Sequence, residues 1–305
     1  PDTTLFRSLI DTGLNRPECQ AAMESGLNQL GIRLEQTDLF ITHMHADHSG
    51  LIGVLRRDGI KVYCSQTDGQ VINACGTTQT HWEQLALAAS RHGFAEEELK
   101  TAIEKHPGYL YRSTDWVDFT AVEDGQVLNY GGYTLRCVAT PGHTWGHICL
   151  YEPDNRILIA GDHILGDITP NITAWQEAEN PLGAYLVSLD KVAAMEIAQV
   201  LPAHRRPIAD WKTRVQELKQ HHQHRLDEVA TILATGPWTG YQVASRMHWD
   251  LTYDSWDDFP GPQKWFATGE ALAHLQFLVD GGQALRHFDN GLFWYSLSKG
   301  SRPDK

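Results

Sequence analysis

The sequence predicts an α+β fold with a large N-terminal part and a small C-terminal one. Three observations lead there. An apolar run, Leu39-Phe40-Ile41, reads as a buried strand that feeds a loop and then a helix over residues 49–57. Hairpin punctuation follows at Asp124-Gly125, Tyr130-Gly131-Gly132-Tyr133 and Pro153-Asp154-Asn155, between strand-like runs, so this half reads as antiparallel sheet. Past Gly236-Pro237 comes a separate unit in the order helix, helix, hairpin. A chain of 305 residues has room for one large domain and one small one.

Taken in order, residues 5–10 read as a strand that ends in the turn Asp11-Thr12-Gly13. Residues 17–30 are helical, with apolar positions at Ala21, Ala22, Leu27 and Leu30, and Gly31 ends the helix. The helix over 49–57 stops at Asp58-Gly59, and 60–64 is the next strand. From 65 to 112 the pattern changes. Helices are expected at 82–91 and 95–105, the second with Glu96, Glu97 and Glu98 where the helix dipole favours acid. His106-Pro107-Gly108 closes that stretch, and Tyr109, Tyr111 and Trp116 follow. Strands are expected at 126–128, 133–139, 147–151 and 156–159, then a helix at 184–199. A polar helix over 211–233 contains His221-His222-Gln223-His224-Arg225. The C-terminal unit has a short helix at 239–247, an acidic, aromatic loop at 249–265 and a helix at 268–279. Its hairpin, 284–288 and 292–297, turns at Asp289-Asn290-Gly291.

The chemistry concentrates in Thr42-His43-Met44-His45-Ala46-Asp47-His48-Ser49-Gly50. His43 and His45 are two apart, so in an extended segment both imidazoles point the same way. Asp47 and His48 follow on the first turn of a helix. Neighbouring side chains diverge there, so one tetrahedral ion does not take all four, whereas two ions sharing a bridging ligand do. The bland alternative is surface histidines in a chain with 16 of them, but an ordered H-x-H-x-D-H straight after an apolar strand is not a chance pattern.

The motif resembles the T/S-H-x-H-x-D-H signature of the metallo-β-lactamase superfamily. That family needs three further ligands at strand ends, in the order His, Asp, His. Thr140-Pro141-Gly142-His143, Ala160-Gly161-Asp162 and Leu201-Pro202-Ala203-His204 supply them, and the resemblance covers residues 5–210. It implies a four-layer αβ/βα sandwich with the metals at one edge between the sheets, occupying 1–210 and carrying an insertion at about 65–112. That insertion is expected either to wall the site or to pack on the sheet edge. It implies that His43, His45 and His143 hold one ion, that Asp47, His48 and His204 hold a second, and that Asp162 bridges them. Two divalent ions are expected, zinc first, with iron or manganese as alternatives. In the resemblance, Asp11 braces the metal loop, and a metal-bridging hydroxide attacks the substrate. The leaving group takes its proton from Asp47 or from metal-bound water, so Asp47 and Asp162 are the catalytic candidates. Family members carry a hairpin before the Asp-Thr-Gly, so the N-terminus is expected to be incomplete in this numbering.

The tail, a linker helix over 211–236 and then 237–305, resembles the winged-helix domain of a subset of these hydrolases. Its second helix has no Lys or Arg between Glu270 and Asp280, so it is read as a packing or substrate-side module. His221 and His222 are read as part of a solvated or domain-bridging helix face. His224-Arg225 resembles a linker-helix pair that lies near the active-site mouth in such members.

Net charge is −13, with nearly all of the acidic excess before residue 211, which argues against a nucleic-acid partner. No run reaches the length of a membrane span, and no signal peptide is visible. Cys19, Cys64, Cys75, Cys137 and Cys149 are scattered, which favours reduced thiols and a cytoplasmic location. The function expected is a dinuclear metal-dependent hydrolase of a small carboxylic thioester or ester, like glyoxalase II. The alternatives are a phosphodiesterase or endoribonuclease of the winged-helix type, a lactonase or β-lactamase, and a non-enzymatic metal scaffold. A homodimer is a family-level expectation.

Overall fold

The structure is a computed structural model that describes residues 7–176, 179–208 and 210–298. Two compact units emerge from the contacts. The first comprises residues up to His81, Pro107–Pro170 and Ser188–Trp211; the second comprises Trp82–His106, Asn171–Val187 and the chain from Lys212 onward.

In the first unit the strands are β1 (Arg7–Ile10), β2 (Thr37–Phe40), β3 (Val62–Ser65), β4 (Phe119–Val122), β5 (Val127–Tyr130), β6 (Tyr133–Ala139), β7 (Ile148–Glu152), β8 (Ile157–Gly161) and β9 (Gln199–Pro202). Leu5 and Phe6 of the expected first strand lie outside the described residues. The order β1-β2-β3-β4 is parallel throughout, with Ile10 beside Phe40 and Tyr63 beside Thr120. β2 and β3 are buried along their whole length, which is why they read as short apolar runs without polar alternation. The second sheet, β5-β6-β7-β8-β9, is antiparallel up to β8, as the hairpin signals predict, and parallel between β8 and β9.

Alternation along β2 and its continuation sorts the core into two layers. Leu39 and Ile41 join Val62 and Cys64 under Leu27, Leu51, Ile52, Leu55 and Ile72, so one face of the parallel sheet is covered by helices. Phe40, Tyr63 and Val122 point the other way and meet Leu128, Leu135, Cys137, Ile148 and Leu150 between the two sheets. Each such fully buried aliphatic side chain stabilises the unit by about 1.5–3 kcal/mol.

Several expectations are corrected. The helix after β1 is Pro17–Gln29, and only Leu27 of its expected apolar positions is buried; Leu30 is 72% exposed. The helix expected over 49–57 is two single turns, Ala46–Ser49 and Ile52–Leu55, so Asp47 and His48 lie inside the first of them. The helix Gln66–Thr77 and the strand β4 are additional elements. The helix expected over 184–199 is Pro181–Ala193, and its tail gives way to β9.

In the second unit, β10 (Trp238–Thr239), β11 (Ala284–Asp289) and β12 (Leu292–Leu297) pair in the order β10-β12-β11. Asn290 and Gly291 close the hairpin at φ +50° and +83°, the left-handed pair that a two-residue turn needs. Thr239 and Gln242 form a reciprocal capping box on the helix Gly240–Ala244. The region expected to be loop to residue 265 is helical from the Gly-Pro at 261, giving one long helix, Gly261–Asp280. Phe94, Leu99 and Ala102 pack against Trp265 of that helix, and Glu98 accepts hydrogen bonds from Lys264 and Tyr241. Thus residues 82–106, expected as part of an insertion in the N-terminal domain, share a core with the C-terminal helix. Among the described residues no helix is long and apolar enough to cross a membrane.

Candidate metal centre

The seven residues singled out by spacing converge in the first unit. Three sets of ligand atoms lie within 4.8 Å of one another: His43, His45 and His143; His43, His48 and Asp162; and Asp47, His48 and His204. Each stands just past the end of a strand. The segment 43–48 follows β2, His143 sits between β6 and β7, Asp162 follows β8 and His204 follows β9. β8 slips register between Ile159 and Gly161, an irregularity that re-aims the chain just before Asp162.

Asp162 stands between the two outer sets. Its Oδ2 is 3.6 Å from His143 Nε2, while its Oδ1 is 3.4 Å from His204 Nε2 and 3.6 Å from His48 Nε2. Asp47 Oδ2 lies 3.3 Å from His204 Nε2 and 3.5 Å from His48 Nε2.

Asp11 fixes two of the imidazoles. It sits at φ +60°, a left-handed conformation that Asp adopts more readily than most residues. Its carboxylate accepts from Thr42 N at 2.8 Å, from Thr42 Oγ1 at 2.9 Å and from His48 Nδ1 at 2.8 Å. The Thr42 hydroxyl has one proton, and Asp11 takes it. Thr42 Oγ1 therefore accepts from His43 Nδ1 at 3.0 Å, and the lone pair on His43 Nε2 faces the cluster. The Asp11–Nδ1 bond in the same way turns His48 Nε2 inward.

Electrostatics splits the histidines. Burial, with the neighbouring imidazoles, pushes His43 well below its usual pKa and His45 down to about 3, so both are neutral donors at neutral pH. The Asp162 and Asp47 carboxylates beside it raise His204 to about 9. Burial opposes charge on His48, but Asp11, Asp162 and Asp47 overcome it and hold the imidazole protonated. Burial likewise works to raise Asp47 and Asp162, yet the His204 and His48 imidazoles beside them keep both well below the carboxylate range. Without a metal, protons on His48 and His204 balance the two carboxylates, which is the place a cation takes.

The donor set passes a direct test of fit. His48 Nε2 and Asp162 Oδ1 are both buried and have no hydrogen-bond partner among the described residues. Buried polar atoms in that state signal a missing partner. All seven ligands offer N or O, a set that suits zinc, iron or manganese.

Two neighbours escaped the sequence reading. His147 is buried; its Nε2 accepts from Asp162 N at 3.1 Å, which leaves Nδ1 to donate to Thr140 Oγ1 at 2.8 Å. A Cβ at Gly161, where φ is +50°, would come within 2.6 Å of His147 Nε2. Asp68, in the helix Gln66–Thr77, is 1% exposed and bonds to both loops that carry His43, His45 and His143. Burial pushes its carboxyl up to about 6 against three hydrogen bonds that hold it down.

The other residues singled out in the sequence make contacts of their own. Asn15 bonds through its backbone N to Tyr111 O and through its side chain to Arg112 O, and the Arg112 guanidinium lies 4.4 Å from the Tyr109 ring centre. In the second unit His222 is buried, not solvated, and pairs with His274 at 3.1 Å. Arg225 is taken up by Glu228, Glu270 and the His248 carbonyl.

Comparison with known proteins identifies relatives and a family. The lactamase-like protein adaB of Aspergillus niger is 27% identical over 231 residues, 76% of this chain and 56% of that protein. The chain thus spans little more than half the length of that relative. An atrochrysone carboxyl ACP thioesterase of Emericella nidulans is 26% identical over 198 residues, 65% of this chain and 47% of that protein. A crystal structure of a metallo-beta-lactamase family protein from Thermus thermophilus superposes with a TM-score of 0.75 at 29% identity, covering 95% of this chain and 90% of that one. The family description for the metallo-beta-lactamase superfamily matches residues 7–204, a span that includes every one of the seven clustered residues, and the chain belongs to that superfamily.

Proposed function

We propose that this chain is a zinc-dependent hydrolase of a carboxylic thioester or ester. The observation that carries the reading is the position of Asp162, one oxygen toward His143 and the other toward His48 and His204, between two sets of inward-facing imidazoles. In this reading His43, His45 and His143 hold one ion, Asp47, His48 and His204 hold a second, and Asp162 serves both. Such ions, when bound, supply Lewis acidity and activate water near neutral pH.

The chain's own groups have defined parts in this reading. Burial keeps His43 and His45 unprotonated, so they bind without first losing a proton. Asp11 holds His48 in one tautomer and one orientation. The Asp47 side chain is 42% exposed, the most open of the site carboxylates, and we assign it the proton that reaches the leaving group. Its carboxyl is ionised at neutral pH, so it would take the proton that the attacking water loses and pass it to the leaving group.

The substrate class is supported by the thioesterase among the relatives and by the acidic balance of the chain. We read residues 237–305 as a winged-helix-like module that packs rather than grips nucleic acid. Its long helix buries Trp265, Leu272, Leu275 and Leu278 and presents no cation between Glu270 and Asp280. A panel of an acyl thioester, a lactone and bis(p-nitrophenyl) phosphate, each with zinc, manganese and iron, tests the reading. Thioester turnover with zinc is expected. Turnover of the phosphodiester alone overturns the substrate class, and no turnover with any metal overturns the enzyme.

A further inference from the structure

We propose that Asp68 is a positioning residue that clasps together the two loops on which His43, His45 and His143 stand. The inference rests on the ligand assignment above and adds a residue to it. Asp68 sits in the first turn of the helix Gln66–Thr77, where Ser65 caps it by accepting from Asp68 N. Its side chain is almost fully buried. Oδ2 accepts from Met44 N at 2.9 Å and from Thr144 Oγ1 at 2.5 Å, and Oδ1 accepts from Gly146 N at 2.8 Å.

The identity of those donors is what matters. Met44 lies between His43 and His45, and Thr144 follows His143. One loop leaves the parallel sheet at β2, and the other joins β6 to β7 of the second sheet. One carboxylate therefore sets the distance between two ligand loops that approach from different sheets. The fit is close: a Cβ at Gly146 would lie 2.5 Å from Asp68 Oδ1 and would collide with Ser65 Oγ. These three donors to Asp68 all flank the His43, His45 and His143 set, whereas Asp11 touches His48 directly and reaches His43 only through Thr42.

Three donors need a carboxylate. An asparagine has one acceptor oxygen, and its NH2 would face at least one of these N–H or O–H groups. Asp68→Asn should therefore loosen one ion more than the other. The test titrates zinc, and separately cobalt as an absorbing reporter, into the metal-free 305-residue chain against a competing chelator. The His45→Ala variant identifies which binding step belongs to the His43 set. We expect Asp68→Asn to weaken that step by at least about tenfold, the usual effect of losing a partner behind a ligand, and to leave the other within about twofold. Thr144→Val should weaken the same step, and Thr144→Ser should restore it. Should Asp68→Asn fail to fold, the Thr144 pair decides alone. Both steps unchanged in Asp68→Asn and Thr144→Val overturns the clasp. So does an equal loss at both steps with a lowered unfolding midpoint of the metal-free protein, since that marks general structure. A wild-type chain that binds no ion overturns the ligand assignment itself, and the clasp with it.

Discussion

At the scale of single residues, the site is a set of lone pairs whose directions are fixed by groups behind them. Asp162 is the residue both sets share, so Asp162→Ala should release metal from both and lower turnover by on the order of 100-fold, with an unchanged far-UV spectrum. Metal content by mass spectrometry at the wild-type level would show that Asp162 is not the bridge. Asp11→Asn should weaken metal binding by about 10–100-fold, because the amide no longer fixes the His48 tautomer. Chelator competition reads that loss, and wild-type affinity in Asp11→Asn would deny Asp11 its part. The seven clustered residues were legible in the chain because each stands beside a strand end with local punctuation such as Pro141-Gly142 or Gly161. Asp68 and His147 were not. Asp68 meets backbone amides 24 and 78 residues away, and Ser65-Gln66-Thr67-Asp68 reads simply as a helix start. His147 lies in Pro141-Gly142-His143-Thr144-Trp145-Gly146-His147, but nothing local says that its partner is the amide of Asp162.

At the scale of elements, backbone approach decides what the metal loop tolerates. Gly50 follows the turn that carries Asp47 and His48, and a Cβ there would meet Ala46 O and Tyr111 O at 2.5 Å and Asn15 N at 2.6 Å. All three are backbone atoms, which cannot rotate away. Gly50→Ala should cost about 1–3 kcal/mol of unfolding free energy in urea. It should also weaken metal binding, since the displaced turn holds His48. Gly26 supplies the contrast. It lies inside the helix Pro17–Gln29 with open space around it, so Gly26→Ala should stabilise by about 0.5–1 kcal/mol. Two substitutions of equal effect would remove the steric account. The same physics explains which elements escaped the sequence reading. The turns Ala46–Ser49 and Ile52–Leu55 are too short to show a helical period. The helix Gln66–Thr77 carries Gly69 and Gly76 where side chains would collide with Phe119 and the Ser113 carbonyl, so its glycines mark packing rather than a break. Strong local signals fared better: Asp289-Asn290-Gly291 gave its hairpin, and the polar helix Trp211–Leu233 ends where Gly236-Pro237 implied.

At the scale of the whole molecule, the two units respond to acid through different groups. In the second unit five histidines, His221 among them, sit where burial disfavours their charged form. His92 and His106 are pushed down to about 4, His274 to about 3 and His222 to about 2. In the unfolded chain each titrates near 6.5. A group depressed by folding contributes stability that is complete above its unfolded pKa and is lost as pH falls toward its folded one. The unit should therefore lose stability as pH drops from about 6.5 to about 4, with each histidine contributing at most about 1.4 kcal/mol per pH unit. Glu270 acts in the opposite sense, because burial raises its pKa, but it is one group against five. Seven of the ten tryptophans belong to this unit, so urea unfolding followed by tryptophan fluorescence reads it preferentially. His92 packs 5.1 Å from the Phe293 ring centre and is 5% exposed, so a phenylalanine fills its place and gives up only the 3.4 Å contact with the Tyr295 hydroxyl. His92→Phe should keep the unit folded and flatten the pH dependence by about one proton's slope between pH 6.5 and 4. A slope identical to that of the wild type would mean that His92 is not buried in its neutral form, and that the acid sensitivity of the unit lies elsewhere.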